Sequence, residues 1–114
     1  MIPLRQISWI KAALRDFEDF PAQAQADMAR ALSIAARGGK ADNAKPFKGV
    51  GSGVFEIALR HRGDAYRAIY AVQIGEALWV IHAFQKKSKS GIKTPKMEVE
   101  LIRDRLKRLK EQLT

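Results

Sequence analysis

Glu56, Arg60, Arg67, His82 and Lys86 carry the groups in this sequence that can hold an anion and move a proton. A guanidinium grips phosphate or carboxylate through two parallel N–H donors. Imidazole titrates near neutral pH, an ammonium does so once burial lowers its pKa, and a carboxylate serves as acid or base when its surroundings shift it. Phe84, among these cations, is an aromatic plate on which an unpaired base can stack. Each residue also has an ordinary explanation. Charged strand residues mostly face water, a strand histidine is commonly a hydrogen-bonded structural group, and Glu56 can simply neutralise an arginine. The grouping carries the functional expectation, because one surface can hold all six side chains.

Three strands must position them. Residues 54–62 alternate Phe55, Ile57 and Leu59 with Glu56, Ala58 and Arg60. Gly63-Asp64 reads as a tight hairpin turn, residues 65–74 as the second strand, Gly75-Glu76 as the second turn and residues 77–86 as the third strand. Alternate side chains take opposite faces, so these turns fix the register. They place Arg60 opposite Arg67, Ala58 opposite Ile69, Ile69 opposite His82 and Arg67 opposite Phe84. One face then holds Glu56, Arg60, Arg67, His82, Phe84 and Lys86, and is predicted to be open. The other holds Phe55, Ile57, Leu59, Tyr66, Tyr70, Val72, Trp79 and Ile81, and is predicted to be the core under helices. A bulge would invert part of one strand. Two arginines directly opposite each other repel. An anion between them accounts for the pair. His61 falls on the apolar side and reads as structural.

Upstream, residues 4–10 suit a short edge strand and residues 9–17 the start of a helix. Asp19-Phe20-Pro21 breaks it and restarts another, along which Ala24, Met28, Leu32 and Ala35 recur at helical spacing. Gly38-Gly39 closes that helix, and residues 40–53, with Pro46, Gly49, Gly51 and Gly53, read as a loop. Downstream, Thr94-Pro95 suits a helix cap and first-turn proline. Val99, Ile102, Leu106, Leu109 and Leu113 form the apolar stripe of a last helix. The order β-α-α-β-β-β-α predicts a single α+β domain over residues 1–114, an antiparallel sheet with a C-terminal helix.

The charge is uneven. The chain of 114 residues carries a net charge of +9, and residues 45–94 hold nine basic against three acidic side chains. Lys48 precedes the first meander strand, and Lys86, Lys87, Lys89 and Lys93 crowd the exit from the last. Such a field suits nucleic acid, although an acidic protein or an anionic membrane surface would satisfy it equally, and lysines at a strand end also guard against aggregation. With no cysteine and two histidines, disulfides and thiolate zinc sites are excluded and no metal or cofactor is expected. No P-loop, HExxH or GxSxG motif is present. Neither a signal peptide nor a membrane span is legible, so a cytoplasmic location is expected.

"KPFKGVGSGVFEIALRHRGDAYRAIYAV" and "LWVIHAFQKKSKSGIKTPKMEVELIRDRL" together resemble the RelE/ParE toxin superfamily, most of all the phage-derived, HigB-like branch of type II toxin–antitoxin systems. The "YR.IY" strand, the "HAF.KKS…TPK..VE" junction and the "WI…L.DF.DFP" start carry the likeness, which spans nearly the whole chain. Ser90-Gly91-Ile92 looks inserted relative to that pattern. The resemblance implies a compact RelE-like toxin, a metal-independent and ribosome-dependent endoribonuclease that cuts mRNA in the ribosomal A site and inhibits translation. It also implies a cognate antitoxin, in this branch often a helix-turn-helix protein. The superfamily's strand arginine falls on Arg67, and its basic residue after the last strand on Lys86 or Lys87. Under that reading Arg60 and Arg67 hold the phosphate, His82, Lys86 and Glu56 are the acid and base candidates, and Phe84 stacks a base. Lys48, Lys87, Lys89 and Lys93 then bind RNA. ParE relatives share the fold, so a non-nuclease poison of DNA gyrase and a non-toxic nucleic-acid-binding module remain as alternatives.

Overall fold

In the computed structural model, residues 4–86 and 94–113 are described. The chain runs β1 (Ile7–Trp9), α1 (Lys11–Glu18), α2 (Ala22–Ala36), β2 (Ala44–Pro46), β3 (Val54–His61), β4 (Asp64–Ala71), β5 (Leu78–Lys86) and α3 (Lys96–Leu113). The strands form one sheet in the order β1-β5-β4-β3-β2, with β1 parallel to β5 and the other neighbours antiparallel. This is the α+β arrangement expected. One element is added: the segment read as a loop contains β2, which pairs Ala44 with Ile57 and Pro46 with Phe55. Proline is tolerated there because β2 is an edge strand. No helix among the described residues is long and apolar enough to cross a membrane.

The break at Asp19 forms because the Asp19 and Phe20 amides turn back to the Asp16 and Phe17 carbonyls, at 3.2 and 3.0 Å. Pro21, extended, then precedes α2. Ala24, Ala31, Ala35 and Ala36 are buried on α2, where their small size lets the helix lie close to the sheet. Phe17, Phe20, Met28 and Leu32 pack with Ile57, Tyr66, Tyr70 and Val80 on that side.

The first turn differs from expectation. His61 pairs with Asp64, so the two-residue turn is Arg62-Gly63, with φ of 51° and 85°. Positive φ at both positions is the type I′ geometry that matches strand twist, and glycine at the second position relieves half its strain. The register moves by two residues, which keeps the faces but changes the partners. Ala58 lies opposite Arg67 and Arg60 opposite Ala65, so the expected Arg60–Arg67 pair does not exist. Ile69 does lie opposite His82, and Arg67 opposite Phe84. The connection from β4 to β5 is six residues (72–77) rather than a two-residue turn. A bulge follows: Tyr70 pairs with Val80, leaving Ile81 as the extra residue. Ile81 and Trp79 consequently join the opposite face from the one predicted, packing with Val54, Ile69 and Ala71.

That face is not open. Ile102, Leu106 and Leu109 of α3 are buried against it, making a three-layer molecule with α1 and α2 on one side and α3 on the other. Val99 is half-buried and Leu113 exposed, so the stripe contacts the core through its middle.

Gly53 marks where the β2–β3 connection approaches the 72–77 segment. Its φ is +74°, and a Cβ there would lie 2.6 Å from Gln73 Cγ. Gln73 is itself held by Ser52 Oγ, which donates to Gln73 Oε1 at 2.9 Å. Gly53→Ala is expected to lower stability by about 1–2 kcal/mol, the cost of a left-handed side chain, read as a lower urea midpoint at unchanged m.

Candidate anion-binding and catalytic site

Rows across the sheet organise the polar residues. Glu56, Ile69 and His82 form one row, Ala58, Arg67 and Phe84 the next, and Arg60, Ala65 and Lys86 the last before the turn. All lie on one face, as the sequence predicted. Ala58 and Ala65 are the small residues in the rows of Arg60, Arg67 and Lys86.

Arg67 and Lys86 are buried, at 8 % and 6 % exposure, while Arg60 is exposed at the strand end. Arg67 Nη1 donates to Glu56 Oε2 at 3.1 Å, and Glu56 is 2 % exposed. The same oxygen accepts the Thr94 hydroxyl at 2.9 Å. Thr94 therefore ties the start of α3 to the sheet. Arg67 Nε is buried and, among the described residues, has no hydrogen-bond partner. An orphaned buried donor costs about 1–3 kcal/mol, and an incoming acceptor removes that cost. Lys86 feels burial first and then the Arg67 guanidinium, both pushing its pKa below 10.5, with Glu56 pulling the other way. The site is thus two buried cations sharing one carboxylate, with an unused N–H.

The sign of the Lys86 shift sets a pH dependence. The folded chain gives up this proton more readily than the unfolded chain. Between the folded pKa and 10.5 the unfolded chain therefore binds more protons. Stability rises with pH across that window, and this contribution is lost as pH falls through the folded pKa. Tyr70, raised above 10.0 by burial, acts in the opposite sense above that pH. Lys86→Met should flatten the rise in unfolding free energy measured below pH 10.0, since Tyr70 is common to both proteins.

His82 is 3 % exposed and held on both sides. Its Nε2 lies 2.7 Å from Glu98 Oε2, and its Nδ1 lies 2.9 Å from Arg105 Nη1. Arginine has no acceptor, so Nδ1 must carry the lone pair and Nε2 the proton, which it donates to Glu98. The ring is the neutral tautomer in this arrangement. Arg105 Nη1 also donates to the Ile81 carbonyl at 3.1 Å, beside the bulge. Phe84 stacks on His82, with centroids 5.0 Å apart and an interplanar angle of 21°, which occupies one of its ring faces.

The structure therefore brings Glu56, Arg67 and Lys86 together and keeps His82 and Phe84 one row away, with His82 clamped to α3. Arg60 lies on the same face, at the exposed end of its strand. Lys48 is exposed in the β2–β3 connection. Lys87, Lys89 and Lys93 lie outside the described residues. Thr94, Glu98 and Arg105 were missed from the sequence. Glu98 and Arg105 sit seven residues apart, in the same stripe as Ile102 and Leu109. A charge inside a buried stripe demands a partner, and that was the available signal.

An antiparallel meander flanked by a parallel first strand, two helices on one face and a closing helix on the other, is the RelE-type toxin fold. The structure aligns with E. coli toxin RelE in the free state, carrying two arginine-to-alanine substitutions, at a TM-score of 0.63 and 17 % identity, covering 93 % of this chain and 98 % of that one. It aligns with the isolated E. coli RelE toxin at a TM-score of 0.60 and 18 % identity, covering 88 % and 97 %. The likeness at that identity is one of fold. The family of phage-derived Gp49-like proteins (DUF891) matches residues 15–107, and the chain belongs to that family. The superfamily resemblance read from the sequence is borne out by this family and fold. No curated protein matches it in sequence.

Proposed function

We propose that the protein is the toxin of a type II toxin–antitoxin system, a metal-independent, ribosome-dependent endoribonuclease that cuts mRNA and so inhibits translation. The observation that carries this reading is the unpaired Nε–H of buried Arg67 beside an acidified Lys86. Cations fixed in advance where negative charge will develop supply large catalytic terms. In the proposed reaction the 2′-oxygen attacks phosphorus, the P–O5′ bond breaks, and a 2′,3′-cyclic phosphate forms. Arg67 and Arg60 hold the phosphorane oxygens. Lys86, as an ammonium of lowered pKa, protonates the departing 5′-oxygen. His82 Nδ1 accepts the 2′ proton once the substrate phosphate draws Arg105 from it. Glu56, already accepting two hydrogen bonds, anchors Arg67. Phe84, at the neighbouring position, offers a ring face to a base. Lys48, Lys87, Lys89 and Lys93 add attraction for RNA backbone.

The gyrase-poison reading has one observation in its favour: Glu56 and His82 both enter internal pairs, so fewer groups on this face are ready for proton transfer. Expression in a bacterial host separates the readings. The nuclease reading predicts growth arrest with loss of protein synthesis and no DNA-damage response, relieved by co-expressing a cognate helix-turn-helix antitoxin. A DNA-damage response with intact mRNA supports the gyrase reading, and harmless expression of the folded chain leaves a plain binding module.

A further inference from the structure

We propose that one flank of α3, together with the β2–β3 connection, is a docking track for the phosphate backbone of double-helical RNA. The choice of RNA over DNA rests on the proposed function, and the surface itself is read without it. Helical residues advance about 100° each, so Lys96, Arg103, Lys107 and Lys110 fall within about 60° of one another around α3. All four are exposed. Ile102, Leu106 and Leu109 are buried beside them, and that burial holds the flank in place. Two contacts fix where it faces. Arg103 Nη2 donates to the Gly49 carbonyl at 3.0 Å, and Lys110 Nζ lies 3.8 Å from where a Gly51 Cβ would stand. Both glycines belong to residues 47–53, which carry exposed Lys48 and no acidic side chain. Gly49 and Gly51 have φ of 93° and 112°, and the Lys110 ammonium is the one described group within 4 Å of either missing Cβ. Bare backbone beside cations permits close approach of a ligand.

The cations repel one another, since Arg103 and Lys107 are four residues apart and Lys107 and Lys110 three. Neither Arg103 nor Lys107 makes an ion pair among the described residues. Glu100 and Glu111 border the flank on its solvent side, and Asp104 is taken by Arg108 at 3.3 Å. Residues 87–93, which lead into α3, read KSKSGIK, so their side chains bring only positive charge. Composition then selects the occupant. A protein partner needs an apolar centre and a membrane surface an apolar face to insert. Met97 and Leu113 are the exposed large apolar residues of α3, and neither shares this flank. A single nucleic-acid strand is held by stacking on aromatic rings, and Phe47, the one aromatic of 47–53, packs inward against the α3 core. Regular backbone charge is what a double helix presents to such a surface. From Lys96 to Lys110 the helix rises about 21 Å, the axial length of about six phosphates on one strand.

The test uses the full chain and a 2′-O-methyl RNA duplex, which lacks the nucleophile for cleavage, with affinity read by fluorescence anisotropy across salt concentrations. Binding is expected, equal for two unrelated sequences. Arg103→Gln/Lys107→Gln/Lys110→Gln should bind at least about tenfold more weakly at low salt and lower the slope of log affinity against log salt by about 2–3. Arg15→Gln/Arg30→Gln/Arg37→Gln removes the same charge from the exposed surfaces of α1 and α2 and should leave most of the slope. The proposal is overturned if the duplex does not bind, if the α3 variant keeps the wild-type slope, or if the α1–α2 variant loses as much. Tighter binding of the separated strands would overturn the double-helical occupant. Binding of duplex DNA without duplex RNA would overturn the RNA assignment and favour the gyrase reading. Because the duplex cannot be cut, failure here leaves message cleavage by the Arg67–Lys86 face standing, and failure of cleavage leaves these slopes to be judged on their own.

Discussion

Glu56→Ala is expected to destabilise the fold by about 3–5 kcal/mol, because removing one partner of a buried pair strands the other charge. Glu56 pairs with Arg67 and attracts the Lys86 ammonium, and its Oε2 also takes the Thr94 hydroxyl. Without it, two buried cations face each other and Thr94 loses its anchor. A surface ion pair would contribute about 0–1 kcal/mol, and the 2 % and 9 % exposure of these side chains is what moves the expectation upward. The control is Glu56→Leu combined with Arg67→Met, which removes both charges at similar volume and should recover most of the loss. Urea denaturation of the three proteins checks this. A loss below about 1 kcal/mol for Glu56→Ala would show that water reaches the pair. The same reasoning applies to Arg67. Truncating it to alanine would strand Glu56 and confound any activity measurement, so Arg67→Lys is the better probe.

Lys86→Met is expected to lower mRNA cleavage by about 10²–10⁴-fold, the range of a general acid or base, while the chain stays folded. Methionine keeps the aliphatic stem in its packed position and removes only the ammonium. Relieving its repulsion from Arg67 should hold stability level at neutral pH or raise it. Loss of activity with gain of stability separates a catalytic group from a structural one. Arg67→Lys keeps the charge but not the planar fork, and should cost about 10²–10³-fold through weaker phosphorane stabilisation. If Lys86→Met cleaves at the wild-type rate, proton donation belongs elsewhere.

Much of this architecture was legible. Alternation in residues 54–62 and the stripe at Ile102, Leu106 and Leu109 gave the right elements, because strand and helix periods differ so clearly. The faces of Glu56, Arg67, His82 and Lys86 were also legible, since a register shift of two leaves parity unchanged. What was missed has specific causes. Glycine-aspartate and arginine-glycine are both plausible turn dipeptides, and only the backbone angles at Arg62 and Gly63 decide between them. β2 was hidden by its three-residue length and Pro46. The bulge at Ile81 is a single inserted residue with no compositional mark, and Arg105 accepting the job of holding the Ile81 carbonyl is a long-range contact. Most consequentially, the α3 stripe was seen without its destination. α1 and α2 already cover the Tyr66–Tyr70 side, which leaves α3 only the polar face. That face therefore became the interior site of Glu56, Arg67 and Lys86 rather than an open cationic surface.

The central claim is mRNA cleavage by this face, and mapping mRNA 5′ ends on translating ribosomes tests it most directly. Purified wild-type protein is added to a reconstituted translation reaction stalled at a known codon, and primer extension locates any break. New 5′ ends within the A-site codon are predicted, absent without ribosomes, unaffected by a chelator of transition metals and suppressed in the Lys86→Met protein. Intact message in a reaction whose translation has nonetheless stopped would contradict the account.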